Sequence, residues 1–95
     1  MDNNIASFIR QHIDETREEL FIRIVDRNGE VFREYGYFIP NMMQVFRRLK
    51  NNKIGSTRTS VAQYIYTSIL LSIDGASRLT IVDDPTINYP CFSFM

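Results

Sequence analysis

Ser60-Val61-Ala62-Gln63-Tyr64-Ile65-Tyr66-Thr67-Ser68-Ile69-Leu70-Leu71-Ser72-Ile73 is the stretch on which the architecture turns. Tyr64, Ile65, Tyr66, Thr67 and Ile69 favour a strand, and Asp74-Gly75 could close a hairpin onto residues 77–83. Spacing argues the other way. Val61, Ile65, Ile69 and Ile73 recur every four residues, Ser60 and Gln63 form a capping-box pair, and Gly75 stands where a left-handed C-terminal residue belongs. A run covering 61–73 is an ordinary length for a helix and an unusual one for a strand, so the spacing predicts a helix there.

Upstream, Asn41 to Lys50 follows Pro40 and sets Met42, Val45, Phe46 and Leu49 on one stripe, with basic residues in the last turn. This predicts a second helix ending at Asn51-Asn52, followed by a polar loop from Lys53 to Thr59. Before it, Asn28-Gly29 separates two β-rich runs, Leu20–Asp26 and Val31–Phe38. Asn-Gly is a strong hairpin signal, because a two-residue type I′ turn needs positive φ at both central positions. Partners in such a hairpin have numbers adding to 57, which pairs Arg27 with Glu30, Val25 with Phe32 and Arg23 with Glu34. Two opposite-charge pairs fall into register together. Leu20, Ile22, Ile24, Val31, Tyr35 and Tyr37 then form the core face, and Phe21, Val25 and Phe32 share the charged face.

At the start of the chain, Ile5, Phe8, Ile9 and Ile13 are helically spaced, with Thr16 and Leu20 continuing the stripe and Asn3 or Asn4 available as a cap. This predicts a helix from about 4 to 18. Residues 78–83 read as a strand, Asp84-Pro85-Thr86 as a turn, and Ile87 to Phe94 as a last extended run. Pro90 within that run would remove a ladder donor and so favours a sheet edge. The fold class is therefore α+β, a single small domain over 1–95 in the order α-β-β-α-α-β-β, with an antiparallel sheet and helices on one face. Were 61–73 a strand, the order would be α-β-β-α-β-β-β, which resembles the roadblock or longin-like dimeric scaffolds.

Ninety-five residues suffice for one domain, and a chain this short buries too little surface to be comfortable alone, so self-association would help it. Eleven basic and eleven acidic residues give no net charge, which argues against binding by bulk charge. The distribution is uneven: residues 35–73 hold Arg47, Arg48, Lys50, Lys53 and Arg58 and no acid. The single Cys91 rules out an intramolecular disulfide, and the acidic start lacks the basic and apolar regions of a secretory signal. A reducing cytoplasmic setting is the expectation. No apolar run approaches the ~18 residues of a membrane span.

Catalysis needs a nucleophile with its base, a metal cluster, or paired carboxylates. His12 falls at the edge of the first helix's apolar stripe, Cys91 beside Phe92 reads as a small buried hydrophobe, and Asp83-Asp84 before Pro85 reads as a turn initiator. No catalytic residue, metal site or cofactor is predicted. Gly55 in Lys53-Ile54-Gly55-Ser56-Thr57 departs from a phosphate-binding loop, lacking its first glycine and carrying the lysine on the wrong side.

Two surfaces remain. Arg47, Arg48, Lys50, Lys53 and Arg58, interleaved with Asn, Ser and Thr, have the donors that phosphates or an acidic partner require. Tyr64 and Tyr66 follow them and would stack on a base if exposed. Phe21, Val25 and Phe32 form an apolar centre with a charged rim, as protein interfaces do. The leading expectation is a non-enzymatic, self-associating protein that regulates or inhibits a macromolecular partner stoichiometrically, in the manner of a viral or mobile-element accessory protein. The alternative is direct nucleic-acid or nucleotide binding through residues 47–58.

Overall fold

The computed structural model describes residues 3–14, 18–50 and 54–94. The elements run α1 (Asn3–Gln11), β1 (Glu19–Val25), β2 (Val31–Phe38), α2 (Ile39–Lys50), α3 (Ile54–Ser72), a 3₁₀ turn (Ala76–Arg78), β3 (Leu79–Ile81) and β4 (Cys91–Phe94). The predicted α-β-β-α-α-β-β order holds, the deciding stretch is helical, and the order with a fifth strand does not occur.

The sheet differs from expectation in two respects. Its order is β2-β1-β4-β3, and it is mixed rather than wholly antiparallel, because β4 runs parallel to β1 and antiparallel to β3. The last strand is therefore internal. Pro90 lies one residue before β4, where its missing N–H costs no ladder bond, and its carbonyl accepts from the Arg23 N–H at 3.1 Å. Central placement sets fully buried Phe92 beside Ile24, gaining more apolar burial than an edge position would.

Along β1, Leu20, Ile22 and Ile24 are buried while the intervening side chains are only partly covered. The period of two makes one face the core. Against it pack Ile5, Ile9 and Ile13, then Ile39 and Met43, then Val61, Ile65, Ile69 and Ile73, joined by Leu79 and Phe92. All three helices thus cover the same side. Fully burying each such side chain is worth roughly 1.5–3 kcal/mol before chain entropy is charged against it.

The hairpin forms, but with different turn chemistry. Residues 19–24 pair with 33–38 with numbers adding to 57, Arg23 facing Glu34 as predicted. Nearer the turn, Val25 faces Val31, not Phe32. The Asp26 N–H donates to the Glu30 carbonyl at 2.8 Å, and the Gly29 N–H to the Asp26 carbonyl at 3.0 Å. Gly29 is left-handed, with φ of 81°. This is a three-residue loop with a glycine bulge in place of the predicted type I′ turn. Asp26 selects it, since its Oδ1 accepts from the Asn28 and Glu30 amides at 2.8 and 2.9 Å. The longer loop shifts the register by one, and a bulge at Phe32 shifts it back, so the predicted pairs reappear from Ile24 onward.

That bulge relocates two side chains. Val31, predicted to be buried, is 53% exposed. Phe32 leaves the charged face and meets the ring of Phe94, a core-packed residue of β4, edge-on at 5.3 Å.

The first helix ends at Gln11, well before the predicted residue 18. His12 and Ile13 donate to carbonyls three residues back, which tightens the last turn, and Leu20 belongs to β1. Glu15, Thr16 and Arg17 lie outside the described residues, as do Asn51 and Asn52, the predicted end of the second helix. The predicted polar loop 53–59 is instead the start of α3 from Ile54 onward. Arg10 of α1 donates to the Thr59 Oγ1 at 2.8 Å and to the Gly55 carbonyl at 3.3 Å, and Thr57 is fully buried. Contacts with α1 thus hold a polar, glycine-containing segment helical, and Ser60 and Gln63 fall inside the helix instead of capping it. Gly75, with φ of 83°, ends the turn after α3 as its position predicted.

Candidate functional site

The sheet face away from the helices carries a compact side-chain cluster. Alternation along β1 puts Phe21, Arg23 and Val25 there, beside Gly36 and Glu34 of β2 and Cys91 of β4. The Arg23 guanidinium donates to the Glu34 carboxylate at 2.9 Å through Nε and lies 2.8 Å from it through Nη2. Its Nη1 donates to the Tyr89 hydroxyl at 2.9 Å. The same group sits 5.3 Å from the ring centres of both Phe21 and Tyr89, which meet edge-on at 5.0 Å. Glu34 is the main cause that raises the Arg23 pKa. A planar guanidinium held between two rings and a carboxylate is a positioned group, unlike a freely rotating surface cation.

Around this cluster lie half-covered Val25 and, at the end of β2, Phe38, which is 50% exposed. The three helices pack on the opposite face, and here Tyr89, from the segment before β4, reaches over Arg23 while Cys91 is buried. Phe21 and Val25 lie on the same face of β1, four residues apart, while Phe32 is turned away by its bulge. Phe38 and Tyr89 were not predicted. Phe38 shares the strand alternation of Phe21 and was recoverable from it, but Tyr89 precedes a proline in a segment without periodicity, and its approach to Arg23 has no local signature.

The basic segment is not one loop. Arg47 and Arg48 are exposed on α2, where they line a shallow cleft with Ile39, Pro40, Met43 and Gln44. Arg58 is half-buried on α3, its Nε shielded and without a hydrogen-bond partner among the described residues. Lys53 and the side chain of Lys50 lie outside the described residues. Two predicted phosphate donors are otherwise engaged: Thr57 is buried, and Thr59 donates to Gly55 while accepting from Arg10. Tyr66 is buried in the core, whereas Tyr64 is 51% exposed.

The remaining candidates have local structural partners. His12 Nδ1–H donates to the Phe8 carbonyl at 3.0 Å, and the two rings meet edge-on. Buried Cys91 has its thiol pKa pushed up by burial, with Arg23 partly opposing. Asp84 accepts from the Thr86 hydroxyl at 2.7 Å and the Thr86 amide at 2.9 Å; the hydroxyl bond first and the amide bond second hold its pKa below the ordinary range. That is the geometry of a turn initiator.

No helix of the described residues is long and apolar enough to cross a membrane. No family model, no curated protein and no solved structure matches this chain. What the fold and its surfaces define is a two-layer α+β domain whose helices cover one face of the sheet.

Proposed function

We propose that the chain is a small non-enzymatic binding protein that self-associates through the open face of its sheet and acts on a macromolecular partner by stoichiometric binding. The observation that carries this reading is the sheet face that no helix covers among the described residues, where Phe21 and Tyr89 pack about the Arg23–Glu34 pair and Val25 and half-exposed Phe38 lie on the same side. An apolar centre holding both signs of charge is self-complementary, because a two-fold axis brings the Arg23 side of one copy to the Glu34 side of another. The small size of the domain supports it too, since a partner copy adds apolar burial that one core of this size cannot supply.

Size-exclusion chromatography with light scattering tests the proposal. The wild-type chain should elute with twice the monomer mass at micromolar concentration, and Phe38→Glu should halve that mass while its far-UV circular dichroism stays unchanged. A wild-type monomer at all concentrations, or a Phe38→Glu dimer, would overturn it.

A second reading, a phosphate-bearing ligand at Arg47 and Arg48, is favoured by their adjacency on α2 and by the absence of any acid from 35 to 73. Neutralising both should leave the fold intact and abolish nucleic-acid binding that weakens steeply with salt. Binding that ignores salt or survives the double change would sink this reading.

A further inference from the structure

The helices leave a second apolar surface bare. On α2, Ile39 and Met43 enter the core and Met42 and Phe46 pack partly against it, but Val45 and Leu49 do not: Val45 is 52% exposed and Leu49 75%. Phe46 and Tyr64 of α3 meet at 5.5 Å between ring centres and wall these two on one side. With Asn41, these side chains line a cleft of ≈ 360 Å³. The sequence puts Met42, Val45, Phe46 and Leu49 on one stripe of this helix, yet in the structure only its Met42 and Phe46 side packs against the core.

The shape favours a rod as the occupant. Residues 42, 45, 46 and 49 have the i, i+3, i+4, i+7 spacing by which one helix seats another, and the cleft lies along α2 against α3. Charge selects what the rod carries. Asn41 lines this cleft, and exposed Arg48, three residues after Val45 on the helix, stands at its margin beside Val45 while also lining the shallow cleft with Ile39 and Met43. The whole segment 35–73 has five bases and no acid. A second copy seated here through its own α2 would bring bases to bases, since this chain's acids lie in 1–34 and 74–95.

We propose that the cleft between α2 and α3 is the docking site for an acidic amphipathic helix of a partner protein. Its apolar stripe seats against Val45, Phe46, Leu49 and Tyr64, and its Asp or Glu flank faces Arg48. This rests on the reading of the chain as a stoichiometric binding protein, but it uses a different surface from the sheet face and stands or falls separately.

The test is a displayed library of helical peptides with a fixed i, i+3, i+4, i+7 leucine stripe and randomised flanks, selected on the full-length protein. Selected peptides are then titrated by fluorescence anisotropy. Enriched flanks should be acidic, and binding should weaken about tenfold or more in Leu49→Glu and in Val45→Glu, both exposed sites whose thermal midpoints should barely move. Binding should also weaken as salt is raised. Neutral or basic flanks, an absence of enrichment, or equal binding by both variants would overturn the proposal. So would Leu49→Glu halving the apparent mass, which would make the cleft an interface between copies. Leu49-dependent binding to anionic vesicles or to single-stranded DNA, with no peptide enriched, would overturn it in favour of those partners. Failure of the sheet-face reading looks different: peptide selection succeeds on a protein that light scattering shows to be a monomer.

Discussion

Replacing Gly29 with valine isolates the backbone requirement of the hairpin. Gly29 has φ of +81°, and a Cβ built there meets nothing within 4 Å, so the backbone and not space is the constraint. Holding an ordinary L-residue in the left-handed region costs roughly 1–2 kcal/mol. A β-branched side chain belongs at or above the top of that range. Gly55 is the control: it lies in the first turn of α3, where a Cβ would make an ordinary contact, 3.7 Å from Arg10 Nη2. Valine outranks glycine in helix propensity, so Gly55→Val should change stability by no more than about 0.5 kcal/mol in either direction. For a domain of this size 1 kcal/mol moves the thermal midpoint by about 4–8 °C, so Gly29→Val should melt on the order of 10 °C below wild type while Gly55→Val stays close to it. Urea unfolding followed by circular dichroism, with unchanged m-values, gives the free energies. Gly29→Asn should recover more than half of the loss, because asparagine tolerates the left-handed region. Equal losses for Gly29→Val and Gly55→Val, or no rescue by asparagine, would refute the reasoning.

Three further outcomes follow from single contacts. Arg10→Met removes the bonds to Thr59 and Gly55 and should cost on the order of 1 kcal/mol, with amide exchange accelerating at residues 54–59 before 61–69; unchanged protection at 54–59 would mean that α1 is not what extends α3. Thr86→Val should raise the Asp84 pKa toward the ordinary range in a carboxyl titration by NMR, since the hydroxyl is the first cause of its depression. A depressed folded pKa adds stability above the unfolded carboxylate value, about 3.9, that is lost as pH falls through the folded value, so the wild type should lose slightly more stability on acidification than the variant; identical titrations would contradict this. Burial raises the Cys91 pKa, so the native thiol should react with a disulfide reagent at pH 8 far more slowly than the urea-unfolded chain, and stability should decline as pH rises past the unfolded thiol value of about 8.5; equal labelling rates would refute this.

Short-range rules made the elements legible. Val61, Ile65, Ile69 and Ile73 announce a helix because a backbone that closes bonds four residues apart puts them on one face, and Gly75 ends it because few other residues accept its φ. The Arg23–Glu34 pair was readable for a similar reason: it depends on the hairpin connection alone. Even there two one-residue irregularities cancelled, and Asp26, not Asn28-Gly29 by itself, selected the turn.

Tertiary structure decided the rest. The parallel insertion of β4 beside β1 joins residues separated by about seventy positions, and no local pattern encodes which strand lies next to which. The extension of α3 back to Ile54 depends on Arg10 from another helix. The functional surfaces depend on the same non-local choices. Tyr89 reaches Arg23 only after β4 is placed, Phe32 turns toward Phe94 only through the bulge, and α2 carries more apolar side chains than the core covers. The sequence determined that Met42, Val45 and Leu49 form a stripe, because periodicity belongs to one helix. Packing alone decided that Ile39 and Met43 go inside, that Met42 is partly covered and that Val45 and Leu49 stay out, because burial belongs to the whole chain.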